Sequence, residues 1–169
     1  MNRIVIVFVS FAFFTSWTIK AYADENLDSI EALIQAGEFK QAEQVLKKTT
    51  KNEPSNIKAW VLLGDAYVGR EKEKKAVEAY QKAIHLDPKN EDAHLGLGAA
   101  YNMMKSYSMA IEAYKQIIGL NPKHAEAHYQ LGLTYDRAVM LTQAFEEYNI
   151  LKTLDEDLAA KLYHVILGK

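Results

Sequence analysis

The sequence repeats itself every 34 residues, and that period leaves few folds open. Trp60-Val61-Leu62-Leu63-Gly64-Asp65-Ala66-Tyr67 returns as His94-Leu95-Gly96-Leu97-Gly98-Ala99-Ala100-Tyr101, and again as His128-Tyr129-Gln130-Leu131-Gly132-Leu133-Thr134-Tyr135. The second half of each unit repeats too. Ala76, Ala110 and Ala144 follow in register, each trailed four residues later by Tyr80, Tyr114 and Tyr148. Pro88 and Pro122 close two units, and Glu156 stands at the third such place.

Within one unit the apolar spacing is helical. Trp60, Leu63, Tyr67 and Val68 keep the 3–4 rhythm of one helix face between Asn56 and Gly69, and Ala76, Val77, Tyr80, Ala83 and Ile84 keep it from Glu73 to Leu86. Two such helices joined by a short polar link form an antiparallel hairpin. A glycine inside a helix costs about 1 kcal/mol relative to alanine. Its recurrence at Gly64, Gly98 and Gly132 therefore predicts a close approach, with Ala76, Ala110 and Ala144 as the facing residues and tyrosines filling the space beside them. Proline lacks an N–H and disfavours helix in the residue before it, so Pro88 and Pro122 end the second helices.

Trp60, Leu63, Gly64, Tyr67, Ala76, Tyr80, Ala83 and Pro88 fill all eight characteristic positions of a tetratricopeptide repeat (TPR), and the chain resembles that family. The resemblance implies an all-α fold: an α-solenoid of antiparallel helical hairpins, the TPR superhelix, with units 57–90, 91–124 and 125–158. A degenerate unit at 23–56 precedes them. It keeps Gly37, Phe39, Ala42, Leu46 and Pro54 but has Asn26, Ser29 and Ile30 where the family has a large apolar residue, leucine and glycine. Stacked hairpins leave the last apolar face uncovered. A stripe of Leu158, Leu162, Val165 and Ile166 in 157–168, with Gly168 as a stop, predicts a C-terminal capping helix.

The first residues read as an address. Met1-Asn2-Arg3, an apolar run from Ile4 to Phe14 and the small residues of Ala21-Tyr22-Ala23 have the three parts of a secretory signal peptide over 1–23, cleaved before Asp24. The rival is a retained anchor, but Ile4 to Ile19 spans 16 residues, against roughly 20 for a bilayer crossing. Cleavage leaves 24–169 as one TPR domain of 146 residues with a net charge near -4. The expected location is exported, periplasmic or secreted, with no membrane contact after signal cleavage. The chain has no cysteine, which excludes a disulfide framework, a thiolate nucleophile and a zinc–thiolate site. An acidic balance with no evident basic stripe argues against nucleic acid.

The concave surface is where such solenoids ordinarily bind. Places 2, 5, 9 and 12 of each unit fall on one stripe of the first helix. They give Asp24, Leu27, Glu31 and Ile34; Lys58, Val61, Asp65 and Val68; Asp92, Leu95, Ala99 and Asn102; Glu126, Tyr129, Leu133 and Asp136; Met103 and Arg137 lie beside its end. The expected groove has an apolar floor, Val61-Leu95-Tyr129, rimmed by acids. It suits a protein or peptide partner, an amphipathic helix or extended apolar stretch with basic flanks. Some TPR members hold a C-terminal carboxylate with a lysine and asparagine clamp; Leu27, Glu31, Val61 and Asp65 occupy the matching places, so the clamp does not carry over.

Sharper chemistry is not indicated. His94 and His128, with His124 nearby, stand where packing residues stand and are expected to pack rather than bind metal. The run from Arg70 to Lys75 is expected to be a solvated turn, and Met103, Met104, Met109 and Met140 to fill core gaps. No catalytic constellation, phosphate loop or cofactor motif appears, so no catalytic residue, metal site or cofactor is assigned. The function expected is a protein–protein interaction scaffold serving assembly of an envelope complex. The alternative is a membrane-anchored subunit of such a machine, for cytochrome maturation, a pilus or secretion; an enzyme or metal protein is the weakest reading.

Overall fold

The structure, a computed structural model, describes residues 27–168. The expected signal peptide, and the start of the degenerate unit with it, lie outside the described residues. Those described are helical throughout, with no strand among them. The helices are α1 (27–35), α2 (Phe39–Asn52), α3 (Ile57–Val68), α4 (Glu73–Leu86), α5 (Glu91–Met103), α6 (Tyr107–Leu120), α7 (Ala125–Arg137), α8 (Leu141–Leu154) and α9 (Glu156–Leu167). None is long and apolar enough to cross a membrane.

Each start and stop has a local cause. Asn56, Asn90 and His124, spaced 34 apart, cap α3, α5 and α7 by accepting the N–H of Ala59, Ala93 and Ala127. Within each hairpin one turn residue adopts a left-handed conformation: Gly37, Glu71, Lys105 and Val139, with φ of 77°, 54°, 58° and 61°. Only the first of these is glycine. Between hairpins the chain runs through four residues carrying Pro54, Pro88 or Pro122. Where Glu156 replaces the proline, a single residue, Asp155, both ends α8 and caps α9 through the Leu158 N–H. The capping helix therefore starts one residue before the expected 157.

Consecutive helices pack in chain order: α3 on α4, α4 on α5, and so on to α8 on α9. The first helix of one hairpin also touches that of the next, α3 against α5 and α7 against α9. No second helix is drawn comparably close to another second helix. First helices therefore line the shorter, inner arc of the solenoid, and α2, α4, α6 and α8 form its outer side.

The predicted close approach at glycine is present, with a different partner. A methyl group added to Gly64 or Gly96 would overlap the ring of Tyr80, and one on Gly98 would overlap Tyr114. The tyrosine, rather than the facing alanine, fills the space; Tyr80 and Tyr114 are among the most deeply buried side chains. In the last unit Tyr148 is only half-buried and stacks on Tyr163, with ring centroids 5.2 Å apart. There Leu162 of the capping helix presses on Gly132 instead. The cap buries Ala159, Leu162 and Ile166; Val165, expected on that stripe, is exposed because it lies off the inward face.

Candidate functional site

Most of the predicted stripe lies along the inner arc, but burial divides it. Lys58, Asp92, Met103 and Glu126 are exposed, and Glu31, Val61, Asp65, Val68, Leu95, Ala99, Tyr129 and Leu133 are half-buried. Leu27, Asn102 and Asp136 are buried, and of the three only Asn102 borders a cleft. Leu27 belongs to the core at the first hairpin. Asn102 and Asp136 share the last stripe place, near the ends of α5 and α7. Asn102 donates from Nδ2 to Thr134 Oγ1 at 2.8 Å and to the Tyr114 hydroxyl at 3.4 Å, joining two units through a buried polar link.

Two clefts open along this surface. The first, about 520 Å³, gathers Glu31, Lys58, Val61, Asp65, Asp92 and Leu95, with Gly96 and Asn90 beside them. The second, about 480 Å³, gathers Ala99, Asn102 and Met103 with Tyr107, Tyr114, Gln130 and Arg137. Val68, Glu126, Tyr129 and Leu133 line neither.

The first cleft is electrostatically tense. Asp65 accepts a 2.7 Å hydrogen bond from the Tyr80 hydroxyl, which reaches it from α4. Burial raises the Asp65 carboxyl above its ordinary 3.8; the tyrosine bond opposes this, and the charges of Asp92 and Glu31 add to it. The same burial and the Asp65 charge push the Tyr80 hydroxyl far up, so it remains a donor. Lys58 bonds Glu31 at 2.9 Å and lies 3.5 Å from Asp28, so the one lysine in the cleft is engaged by acids on α1. What the cleft presents beyond that pair is Asp65 and Asp92 above an apolar wall of Val61 and Leu95. A cation seated there would relieve the mutual repulsion of the carboxylates. Sequence reasoning missed Tyr80, because its distance from Asp65 closes only when α3 and α4 pair.

The histidines go to separate tasks. Trp60 Nε1–H donates to the Pro54 carbonyl at 2.9 Å. His94 and His128 repeat that bond with Nε2 to Pro88 and Pro122, both at 3.0 Å. The ring N–H at this place ties each first helix back to the proline that ended the previous hairpin. His128 also places Nδ1 2.6 Å from Glu147 of α8, whose carboxyl burial raises and the histidine partly offsets. His124 serves as a cap through Nδ1. Among the described residues no cluster of potential metal ligands forms.

Two expectations need correction. The Arg70–Lys75 run is not simply a solvated turn. Arg70 and Lys72 reach back to Glu43, buried on α2, with Lys72 Nζ at 3.0 Å. Burial alone would raise Glu43, but the two cations hold it below its ordinary 4.5. The methionines do not fill the core either: Met103, Met104, Met109 and Met140 are all exposed, because they fall at helix ends, a turn and the outer face of α6. Met109 helps wall a third cleft on the outer side between α4 and α6, about 450 Å³ and mainly apolar, with Ile84, Leu97, Tyr101 and Ala113.

Comparison with known proteins agrees with this architecture. Residues 19–158 match the family described as the cytochrome c-type biogenesis protein H TPR domain. Among solved structures, a crystal structure of MamA is 26% identical over 82% of this chain and 92% of its own, with a TM-score of 0.69. A second MamA crystal structure is 27% identical over 82% of this chain and 79% of its own, TM-score 0.66. A thermophilic TPR protein from Thermus thermophilus shares the fold at 20% identity, TM-score 0.71, covering 82% of this chain and 78% of its own. No curated protein matches the sequence.

Proposed function

The chain belongs to the TPR family of the cytochrome c-type biogenesis protein H kind, and from that premise we propose that it is an exported adaptor holding a partner polypeptide during assembly of c-type cytochromes. TPR domains of this build are protein–protein interaction scaffolds, and the finer reading rests on the inner arc. Its most telling observation is the cleft in which Asp65 and Asp92 stand over Val61 and Leu95. Such a surface fits an amphipathic helix or an extended apolar segment carrying a lysine or arginine. The chain itself has no cysteine, so any thiol step of assembly falls to another protein and this one contributes holding and placement. The basic start, apolar run and Ala21-Tyr22-Ala23 support export with cleavage before Asp24.

A photo-crosslinking residue at Leu95 and another at Lys82 on the outer side test the reading in cells. The reading predicts adducts with proteins of cytochrome c biogenesis from Leu95 and not from Lys82; the same adducts from both, or from Lys82 alone, would remove the groove from the account. N-terminal sequencing of the protein recovered from the periplasm tests the address. A first residue of Asp24 supports cleavage, and an intact Met1 favours the anchored alternative.

A further inference from the structure

Helix α2 differs from the other outer helices. Its acid, Glu43, is turned inward and neutralised by Arg70 and Lys72. What remains outward is Lys40, Lys47, Lys48 and Lys51, at i, i+7, i+8 and i+11, on one stripe that runs about 16 Å along the helix. All four are exposed, and none forms an ion pair among the described residues. Along the solenoid this bias fades. Helix α4 sets Glu73 and Glu78 among Lys74, Lys75 and Lys82; α6 has Glu112 against Lys115; α8 has Glu146 against Lys152, its Glu147 being turned to His128. The basic stripe that the sequence did not suggest is therefore made by packing, which removes the one acid from the face.

A lysine-rich helix face is ordinarily just a solvated one. Position distinguishes this case. The stripe lies at the end of the solenoid where residues 1–26 join, and that segment carries the apolar run from Ile4 to Phe14. Whether this run is passed through a bilayer during export or retained in one, α2 is the outer helix nearest to it in the chain. The inner arc, with its acidic cleft, lies on the other side of the hairpin. We propose that the outer face of α2 docks on anionic phospholipid headgroups through Lys40, Lys47, Lys48 and Lys51, leaving the groove open away from the bilayer. No large apolar residue accompanies the lysines on the stripe, so the contact is electrostatic and reversible, and salt weakens it.

Sedimentation of the full chain with vesicles tests this independently of what the groove binds. Vesicles of phosphatidylcholine alone report whatever residues 1–26 contribute, and vesicles that include phosphatidylglycerol add the headgroup charge. The chain is expected to bind the anionic vesicles more tightly, and raised salt to erase the excess. The triple variant K40E/K47E/K51E, all exposed positions, is expected to lose roughly 100-fold in that excess affinity while keeping its helical far-UV signal. A control, K74E/K75E/K82E on α4, is expected to keep most of it. Equal binding by the α2 variant and the unaltered chain would overturn the proposal. So would equal binding to both kinds of vesicle, or tighter retention by a single-stranded oligonucleotide than by the anionic vesicles.

Discussion

At the residue scale the repeat is held by a few exchanges between ring, glycine and proline carbonyl. Gly98 makes room for the Tyr114 ring, whereas Gly119, near the end of α6, faces open space. Gly98→Ala is expected to cost about 1–3 kcal/mol through overpacking, and Gly119→Ala to be neutral or stabilising by about 0.5–1 kcal/mol; urea unfolding of the two variants separates the cases. Val139 is a β-branched residue at φ 61° and 80% exposed, so it contributes strain without burial. Val139→Gly is expected to raise the unfolding free energy by on the order of 1 kcal/mol, read as a higher urea midpoint, and a lower midpoint would contradict that. The glycine period was readable from spacing alone; its partner was not, since an alanine and a tyrosine both recur opposite it and only packing decides which ring turns inward. His94 and His128 were placed correctly by their register with Trp60, because an N–H pointing to the same carbonyl is what all three supply.

At the scale of elements, two devices join hairpins. One is the Glu43 latch. Its folded carboxyl lies below 4.5, so the stability it contributes is fully present above that value and is lost as pH falls through the lower folded value. Glu43→Gln is expected to lower the melting temperature near neutral pH and to flatten its fall below pH about 4.5; thermal melts of both proteins across that range check the sign. The other device is the cap. Leu162 is fully buried and occupies the space beside Gly132 that Tyr80 and Tyr114 occupy in earlier units. Leu162→Ala is expected to cost about 2–5 kcal/mol, readable by denaturant unfolding, because it would empty that buried space. Helix boundaries were legible in the caps and prolines, down to α4 at Glu73–Leu86. The latch was hidden: nothing local marks Glu43 as buried, and its partners lie 27 and 29 residues away.

At the scale of the whole molecule, the sequence period becomes an arc whose inner and outer surfaces have different chemistry. Stripe counting found the inner surface, and the first cleft brings six of those residues together. It failed at the last place of two stripes, where Asn102 and Asp136 are buried. A single-helix stripe carries no information on where the neighbouring unit begins to cover it. The charge of the cleft gives the account a pH signature. Because the Asp65 carboxyl lies above 3.8, a cationic partner segment that favours its ionised form is expected to bind more tightly as pH rises through that raised value. Isothermal titrations at several pH values would show the trend, and Asp65→Asn is expected to remove it.

The central claim is that the inner arc, not the outer cleft, holds the partner. The direct measurement is the affinity of a crosslink-identified partner segment for three variants of unchanged helical far-UV signal: Leu95→Glu, Tyr129→Glu and, on the outer cleft, Met109→Glu. The account predicts at least about tenfold weaker binding for the first two, equivalent to about 1.4 kcal/mol, and unchanged binding for the third. Undiminished binding by Leu95→Glu and Tyr129→Glu, with loss only in Met109→Glu, would contradict it.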